Sequence, residues 1–493
     1  MNGIEGTALQ PPVHSHSDDM APAERKPVVV IGAGVTGLAC AHSLHRAGVN
    51  VLLLEACPEV GGVMRSQCVD GFRFEDGPNT IPANAAHFRG LCGELGIADR
   101  LCLSSEESSL RYLFSRGALR ALPSGPLSFL SSPLLSFSSK LRVLSEPLRK
   151  RAKLAAGQPE PTLGEFLEER IGKEATHTLA GAFVRGVYAA ELSELGARSA
   201  FGRLWSLADE HGGLLRGAVA VRKAKKTAEP DPSLPGPTAK RGSLLSFDRG
   251  LGVLNEAIAH ELGQKLRTNT FVQSLKPEQE DWIVTVHGEE IRASRVVLAI
   301  PAPKAAQVLR GLGADAVAET LQSVEHARIG VVHMGFNDLR LPPGFGFLMP
   351  PTEPAGERTP RALGILFSSN IFPKCAPAGS SSTTSIYDAA ALDSLDDNEA
   401  IEFAREDLRR GLGLDAAPVS STGGVVRWQD VIPRYAVGHA ERMQQASDSL
   451  AESCSGLHLV GNYMGGVSVE DRIRCGRELA TRVAQQELAE VAR

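Results

Sequence analysis

The sequence predicts an α/β and α+β multidomain protein: a discontinuous Rossmann-like domain, a domain with a mixed sheet, and a helical domain. Three observations carry this. Val28-Val29-Val30-Ile31 runs straight into Gly32-Ala33-Gly34-Val35-Thr36-Gly37, four apolar residues of a buried parallel strand followed by a glycine triplet. Matching apolar runs recur at 51–54, 295–300 and 457–462, in the start, middle and end of the chain. Between them, segments of helical period alternate with segments of strand period.

In the first stretch each glycine has a distinct role. Gly32 allows a tight turn, Gly34 lets backbone approach a pyrophosphate, and Gly37 lets the next helix pack close to the sheet. A helix over 38–47 then aims free N–H groups and its dipole at the phosphates. Gly48 ends it, and the strand at 51–54 delivers Glu55, 18 residues past Gly37. That spacing suits a carboxylate accepting from ribose hydroxyls, and an acid there favours FAD or NAD over NADP.

The continuation selects FAD. Glu55-Ala56, five residues, Gly61-Gly62-Val63-Met64-Arg65 resembles the second fingerprint of the glutathione-reductase-like FAD proteins. The glycines let the turn pass the diphosphate, and Arg65 offsets its charge. Gly77-Pro78-Asn79-Thr80 resembles the segment such flavoproteins lay along the cofactor.

Bulk properties agree with a globular enzyme. The 493 residues are enough for two or three domains, and 43% hydrophobic with 22% charged residues is ordinary for a soluble protein. A net charge of −5 gives no reason to expect nucleic acid as a partner. No apolar run approaches the length of a transmembrane helix. The eight cysteines include no CxxC pair and lack zinc spacing, so no metal site is expected and the thiols read as reduced. Residues 1–26 are polar, lack an apolar core and carry acids, so they read as a disordered tail rather than a secretory signal or transit peptide.

Along the chain, 111–123 reads as a hairpin with an Arg-Gly turn. In 124–153, Leu127, Phe129, Leu130, Leu134, Leu135 and Phe137 precede Lys140, Arg142, Arg149, Lys150, Arg151 and Lys153, against Glu146 alone. This suits the surface of an anionic bilayer, and equally a helical hairpin on the core with a solvated basic face. Residues 162–222 read as helices, the first opening at Thr162 or Pro161, and 227–240, with four prolines, as a loop. Strands are expected at 244–247, 271–275, 282–286, 329–336 and 361–368, a helix at 397–411, and a C-terminal helix opening at 465–469. The domains are then 27–90, 243–303 and 425–493 for FAD, 91–242 helical and membrane-associating, and 304–424 for substrate.

Further motifs carry a narrower resemblance. These are Arg185-Gly-Val-Tyr-Ala189, Arg198-Ser-Ala-Phe201, Leu363-Gly-Ile-Leu-Phe-Ser-Ser369, Ile432-Pro-Arg-Tyr-Ala-Val-Gly-His439 and Gly461-Asn-Tyr-Met-Gly-Gly-Val467. From about Lys26 to Ala484 the chain resembles the oxygen-dependent, FAD-containing protoporphyrinogen IX oxidases of the flavin amine oxidase superfamily. The resemblance implies a tetrapyrrole substrate, O₂ as acceptor and H₂O₂ as product, with coproporphyrinogen III, an amine or a desaturase substrate as alternatives. It implies that Arg111 pairs a propionate and that Phe345, Gly346, Leu348 and Leu366 line the ring pocket. It further implies that Val272 backs the adenine, Trp428 lies near FAD, and Val467, Ser468 and Val469 contact the flavin. No catalytic acid, base or triad is expected, and His211, His326, His439 and His458 read as structural. Tyr387 is a candidate for stacking on the macrocycle, although Asp388 and Ala389-Ala390 depart from the family's glycines, as does Ala190. The implied location is peripheral on an inner membrane, mitochondrial in a eukaryote or plasma-membrane in a bacterium, not secreted, with a homodimer as a possible assembly.

Overall fold

Strand Val28–Ile31 is fully buried and forms the centre of a five-stranded parallel sheet in the computed structural model. The structure describes residues 26–149, 158–227, 233–240, 242–419 and 424–491. The expected tail therefore lies outside the described residues save Lys26, whose Nζ donates to Asp281 Oδ2 at 2.6 Å. Lys150, Arg151 and Lys153 also lie outside them, as do 228–232 of the proline-rich loop.

The parallel sheet runs Leu266–Arg267, Val51–Leu54, Val28–Ile31, Arg295–Leu298, Leu457–Leu459, so distant parts of the chain close one core. Unbroken aliphatic runs are what a parallel strand covered on both faces requires. Helix Val35–Arg46 lies on one face with the C-terminal helix Val469–Val491 and helix Gly252–Leu262. The first helix begins at Val35, three residues before the expected start, because Gly34 already serves as its N-cap. An antiparallel meander of Val272–Glu278, Asp281–Val286 and Glu289–Ala293 packs on the other face.

A second, seven-stranded sheet runs Val425–Pro433, His326–Asn337, Ser380–Asp388, Gly364–Leu366, Gly346–Leu348, Tyr112–Ser115, Ala118–Ala121. Helix Asp397–Leu412, opened by an Asp396/Glu399 capping box, covers one of its faces. Three domain boundaries differ from expectation. The hairpin Tyr112–Ala121 leaves the helical block 91–242 to finish this sheet, since its first strand pairs in parallel with Gly346–Leu348. Val425–Pro433, inside the expected FAD segment 425–493, forms the opposite edge of the same sheet. Helices Ala302–Arg310 and Asp315–Gln322, at the start of the expected 304–424 block, pack with the parallel-sheet core.

The helical layer contains Pro126–Ser131, Phe137–Leu144, Leu163–Ile171, a continuous helix over 173–188 with a π turn at Thr176–Gly181, Ala197–His211 and Leu214–Thr227. Thr162 and Glu165 form the capping box that opens Leu163–Ile171. Glu146, fully buried, ties the layer together: it meets Arg170 Nη1 at 3.2 Å and accepts from Leu214 N at 2.6 Å and Leu215 N at 3.0 Å.

Candidate cofactor and substrate site

The glycine triplet leaves room where a phosphate must approach and none where the helix must pack. A Cβ on Gly37 would sit 1.9 Å from the Gly32 carbonyl oxygen, whereas one on Gly34 would meet nothing within 4 Å. Gly34 caps the helix without a side chain, so the first N–H groups of Val35, Thr36 and Gly37 remain available to an anion. Gly34 bridges Gly61, and Gly61 N donates to Ala33 O at 2.7 Å, so both fingerprints form one cradle that includes Gly62. Glu55 stands at the end of its strand with Oε2 accepting from Ala33 N at 2.7 Å and Oε1 from Cys57 N at 2.9 Å. An ionised carboxylate has further lone pairs for ribose hydroxyls. Ala56 follows it, and the Glu55 backbone is bracketed by Arg267 O and Thr270 N. Half-buried Val272, next along, packs on the core cluster that holds Ile31 and Leu54. These residues fit a dinucleotide.

Arg65, Asp76 and Trp428 meet, although Trp428 lies 352 positions beyond Asp76 in the chain. The Arg65 guanidinium lies over the Trp428 ring, 4.8 Å from its centroid, and its Nε is 3.7 Å from Asp76 Oδ2. Trp428 Nε1 donates to Asp76 O at 2.7 Å. Gly77 follows at once, and a Cβ there would come within 2.2 Å of Val63 O, so Gly77-Pro78-Asn79-Thr80 runs tight against the second fingerprint. Asn79 Nδ2 donates to Gly77 O.

The C-terminal loop carrying Val467, Ser468 and Val469 is held by residues outside the expected set. Tyr435 OH donates to Asn462 O at 2.6 Å and accepts from Gly466 N at 3.0 Å, and buried Arg472 donates to the carbonyls of Gly461 and Met464. Ser468 Oγ accepts from Asp471 N at 3.1 Å and caps the final helix. Burial pushes the Tyr435 phenol well above its usual range, so it stays neutral and able to donate.

Pairing registers place Trp428, Val426, Ile329, Val331, His333, Ile386, Thr384, Leu366 and Leu348 on the face of the large sheet opposite helix Asp397–Leu412. Phe345 packs beside Leu366, Ile371 and Phe372, and the Arg111 guanidinium lies 5.2 Å from its ring centroid. Phe345 N donates to Leu110 O at 2.7 Å, which fixes the two segments together. Gly346 lies against the Ile365 carbonyl, where a Cβ would come to 2.2 Å. Leu348 is on the same face but packs with Leu113, Leu134, Leu135 and Ala182 at the helical layer, with Gly186 against its Cδ2. Ile386 joins the Phe345–Leu366 group to the Trp428–Val331 group, a link the sequence reading missed.

Tyr387 does not serve as a stacking group. It lies on the opposite face, fully buried, with its ring 5.6 Å from Phe403 and its OH donating to Asp407 Oδ2 at 3.2 Å. A period of two turns its neighbour Ile386 to the site instead. Ala389–Ala391 forms a turn capped by Asp388. Three of the four histidines have packing roles in view. His439 stacks on Tyr435 and bonds Tyr463 O, His326 bonds Val324 O, and burial drives His458 down to about 4.

Comparison with known proteins adds to this geometry. Residues 35–484 match the model of the flavin containing amine oxidoreductases. The chloroplastic protoporphyrinogen oxidase of Nicotiana tabacum is 29% identical over 492 residues, covering 96% of this chain and 88% of its own. Protoporphyrinogen oxidase of Homo sapiens is 31% identical over 486 residues, covering 92% and 98%. Among solved structures, reduced UDP-galactopyranose mutase superposes at a TM-score of 0.70 with 17% identity, over 94% of this chain and 96% of its own, a likeness of fold.

Proposed function

The chain belongs to the flavin containing amine oxidoreductase family and is a FAD-dependent oxidoreductase, and on that premise we propose that it oxidises protoporphyrinogen IX to protoporphyrin IX. The observation that carries the reading is one sheet face. It runs from Trp428, beside Arg65 and Asp76, through Ile386 and Leu366 to Phe345, where Arg111 supplies a cation. A flat macrocycle with apolar faces and carboxylate arms asks for that combination of surface and charge.

Removing six hydrogens from a porphyrinogen takes three two-electron steps. Bound FAD supplies the acceptor for each electron pair and its route to O₂, giving three H₂O₂ per porphyrin. The protein's share is placement. Arg111 anchors a propionate, Phe345, Leu366 and Ile386 exclude water from the ring, and the Gly32–Gly37 turn, Glu55 and Arg65 fix the dinucleotide. Tyr435 and Arg472 hold the 461–468 loop in shape.

We place this activity at a membrane surface. Leu127 and Leu148 are 84% and 85% exposed, Phe137 is 73% exposed, and Leu130, Leu141 and Leu144 are each about half exposed. These six lie in three short consecutive helices, an arrangement suited to shallow insertion rather than crossing. No described helix is long and apolar enough to span a bilayer. The basic residues contribute less than their number suggests. Lys140 is buried and donates to Leu130 O, and Arg142 donates to Glu169 O.

The test is an assay on FAD-loaded protein with protoporphyrinogen IX and coproporphyrinogen III in parallel. Porphyrin fluorescence and peroxide should appear only with O₂, and faster with protoporphyrinogen. Preference for coproporphyrinogen would move the assignment to that substrate, and inactivity toward both with turnover of an amine would reject it. Membrane binding is checked by sedimentation with anionic vesicles, which Leu127→Ser/Phe137→Ser/Leu148→Ser should weaken at least tenfold.

A further inference from the structure

A second cation borders the apolar cluster on which Arg111 sits. Phe345 and Phe372 belong to one group with Leu366 and Ile371. Arg111 lies 5.2 Å from the Phe345 centroid, and Arg73 lies 5.9 Å from the Phe372 centroid. Arg73 also lines a cavity with Phe74, Glu75, Asn79, Thr80, Ser368 and Phe372, which joins the cofactor-facing segment 77–80 to that apolar group. We propose that Arg73 binds a second carboxylate of the substrate, so that Arg73 and Arg111 together select a ligand carrying two carboxylate arms.

The hydrogen bonding of Arg73 suits this role. Its Nη1 donates to Phe247 O at 3.0 Å and Asp248 O at 2.6 Å, which holds the guanidinium in place. Among the described residues its Nε and Nη2 make no hydrogen bond. That edge presents two parallel N–H groups, the geometry that grips a carboxylate in bidentate fashion. The neighbouring acids are committed elsewhere. Asp248 Oδ1 takes Arg100 Nη2 at 2.8 Å, and Glu75 takes Ser66 Oγ at 2.6 Å and Leu251 N at 3.1 Å. Burial raises Glu75 to about 7, which reduces its competition for the guanidinium near neutrality.

The inference rests on the porphyrinogen reading, and the test separates the two. FAD-loaded wild type, Arg73→Gln, Arg73→Lys and Arg111→Gln would be assayed with the dicarboxylic porphyrinogen and with its dimethyl ester. Arg73→Gln should raise KM for the diacid about tenfold, the scale of one charge-assisted contact, with kcat within twofold. Arg73→Lys should recover part of that loss, and the ester should not distinguish wild type from Arg73→Gln. Unchanged turnover of the ester also shows that the variant is folded. An unchanged KM for the diacid in Arg73→Gln, while Arg111→Gln raises it, would overturn the inference and leave the function standing. An equal loss on the ester would overturn it too. Wild type inactive on both compounds would reject the oxidation reading and this inference with it.

Discussion

Arg111 and Glu75 show how single residues are set by what surrounds them. Arg111 is exposed, yet its guanidinium rests over Phe345 and its carbonyl accepts from Leu122 N, so little of its freedom remains to be lost on binding. Arg111→Ala should raise KM about 10- to 100-fold while the bound flavin spectrum stays as in wild type. Loss of flavin instead would place Arg111 in the cofactor site. Glu75 is buried and titrates at about 7, above its unfolded value near 4.5. The folded state therefore holds its proton where the unfolded state has released it. Stability is full below about 4.5 and falls as pH rises toward 7. Glu75→Gln keeps an acceptor for Leu251 N and removes the titration, so the variant should gain up to roughly 3 kcal/mol on wild type between pH 4.5 and 7.5. Denaturant midpoints at the two pH values check this, and parallel pH profiles would refute it. Ala189 is a third case. It ends its helix at φ +45°, a left-handed position where a side chain costs roughly 1 kcal/mol, so Ala189→Gly should stabilise by about that amount.

At the scale of elements, the helical layer depends on one buried acid. Glu146 caps the N-terminus of Leu214–Thr227 and meets Arg170, which is 3% exposed. Glu146→Ala would leave a buried guanidinium and two helix N–H groups without partners, a loss of about 3–5 kcal/mol. Hydrogen exchange should rise in 214–227 and 163–171 while the parallel sheet keeps its protection; uniform exchange would show that the layer does not open separately. The same scale explains what the sequence disclosed. Val28–Ile31 and Val51–Leu54 were legible to the residue because unbroken aliphatic runs between turn signals admit little else. Ser380–Asp388 was not read as a strand, although it lies between two other strands of the large sheet. Its Ser-Ser-Ser-Thr-Thr-Ser run carries no apolar period, and burial there is achieved by small hydroxyl side chains. The misplacement of Tyr387 follows from the same gap: without a strand assignment the alternation that sends Ile386 to the site could not be applied. Motifs made of consecutive residues, such as the glycine cradle, were visible in the chain. Asp76 with Trp428 and Tyr435 with Gly466 were not, because each pair exists only after folding.

At the scale of the whole molecule, the dinucleotide fold is assembled from three distant stretches, and the proposed cofactor site draws on all of them. The cradle comes from 28–65, Val272 from the middle, and the loop at 461–469 from the end, held by Tyr435 and Arg472. A ligand spanning those stretches binds the folded state alone, so it stabilises by RT ln(1 + [FAD]/Kd), about 4 kcal/mol at a thousandfold excess over Kd. Stripping FAD should lower the unfolding temperature by several degrees, and adding it back should restore both the temperature and the flavin absorbance. Gly34→Ala would test the cause. A Cβ at Gly34 meets nothing in the protein, so its added bulk should leave the apo protein's unfolding temperature nearly unchanged while occupying space proposed for the pyrophosphate. The expected result is a variant whose apo form unfolds like wild type and whose temperature no longer responds to FAD. A variant that still gains stability from FAD would show that the triplet does not form the phosphate cradle.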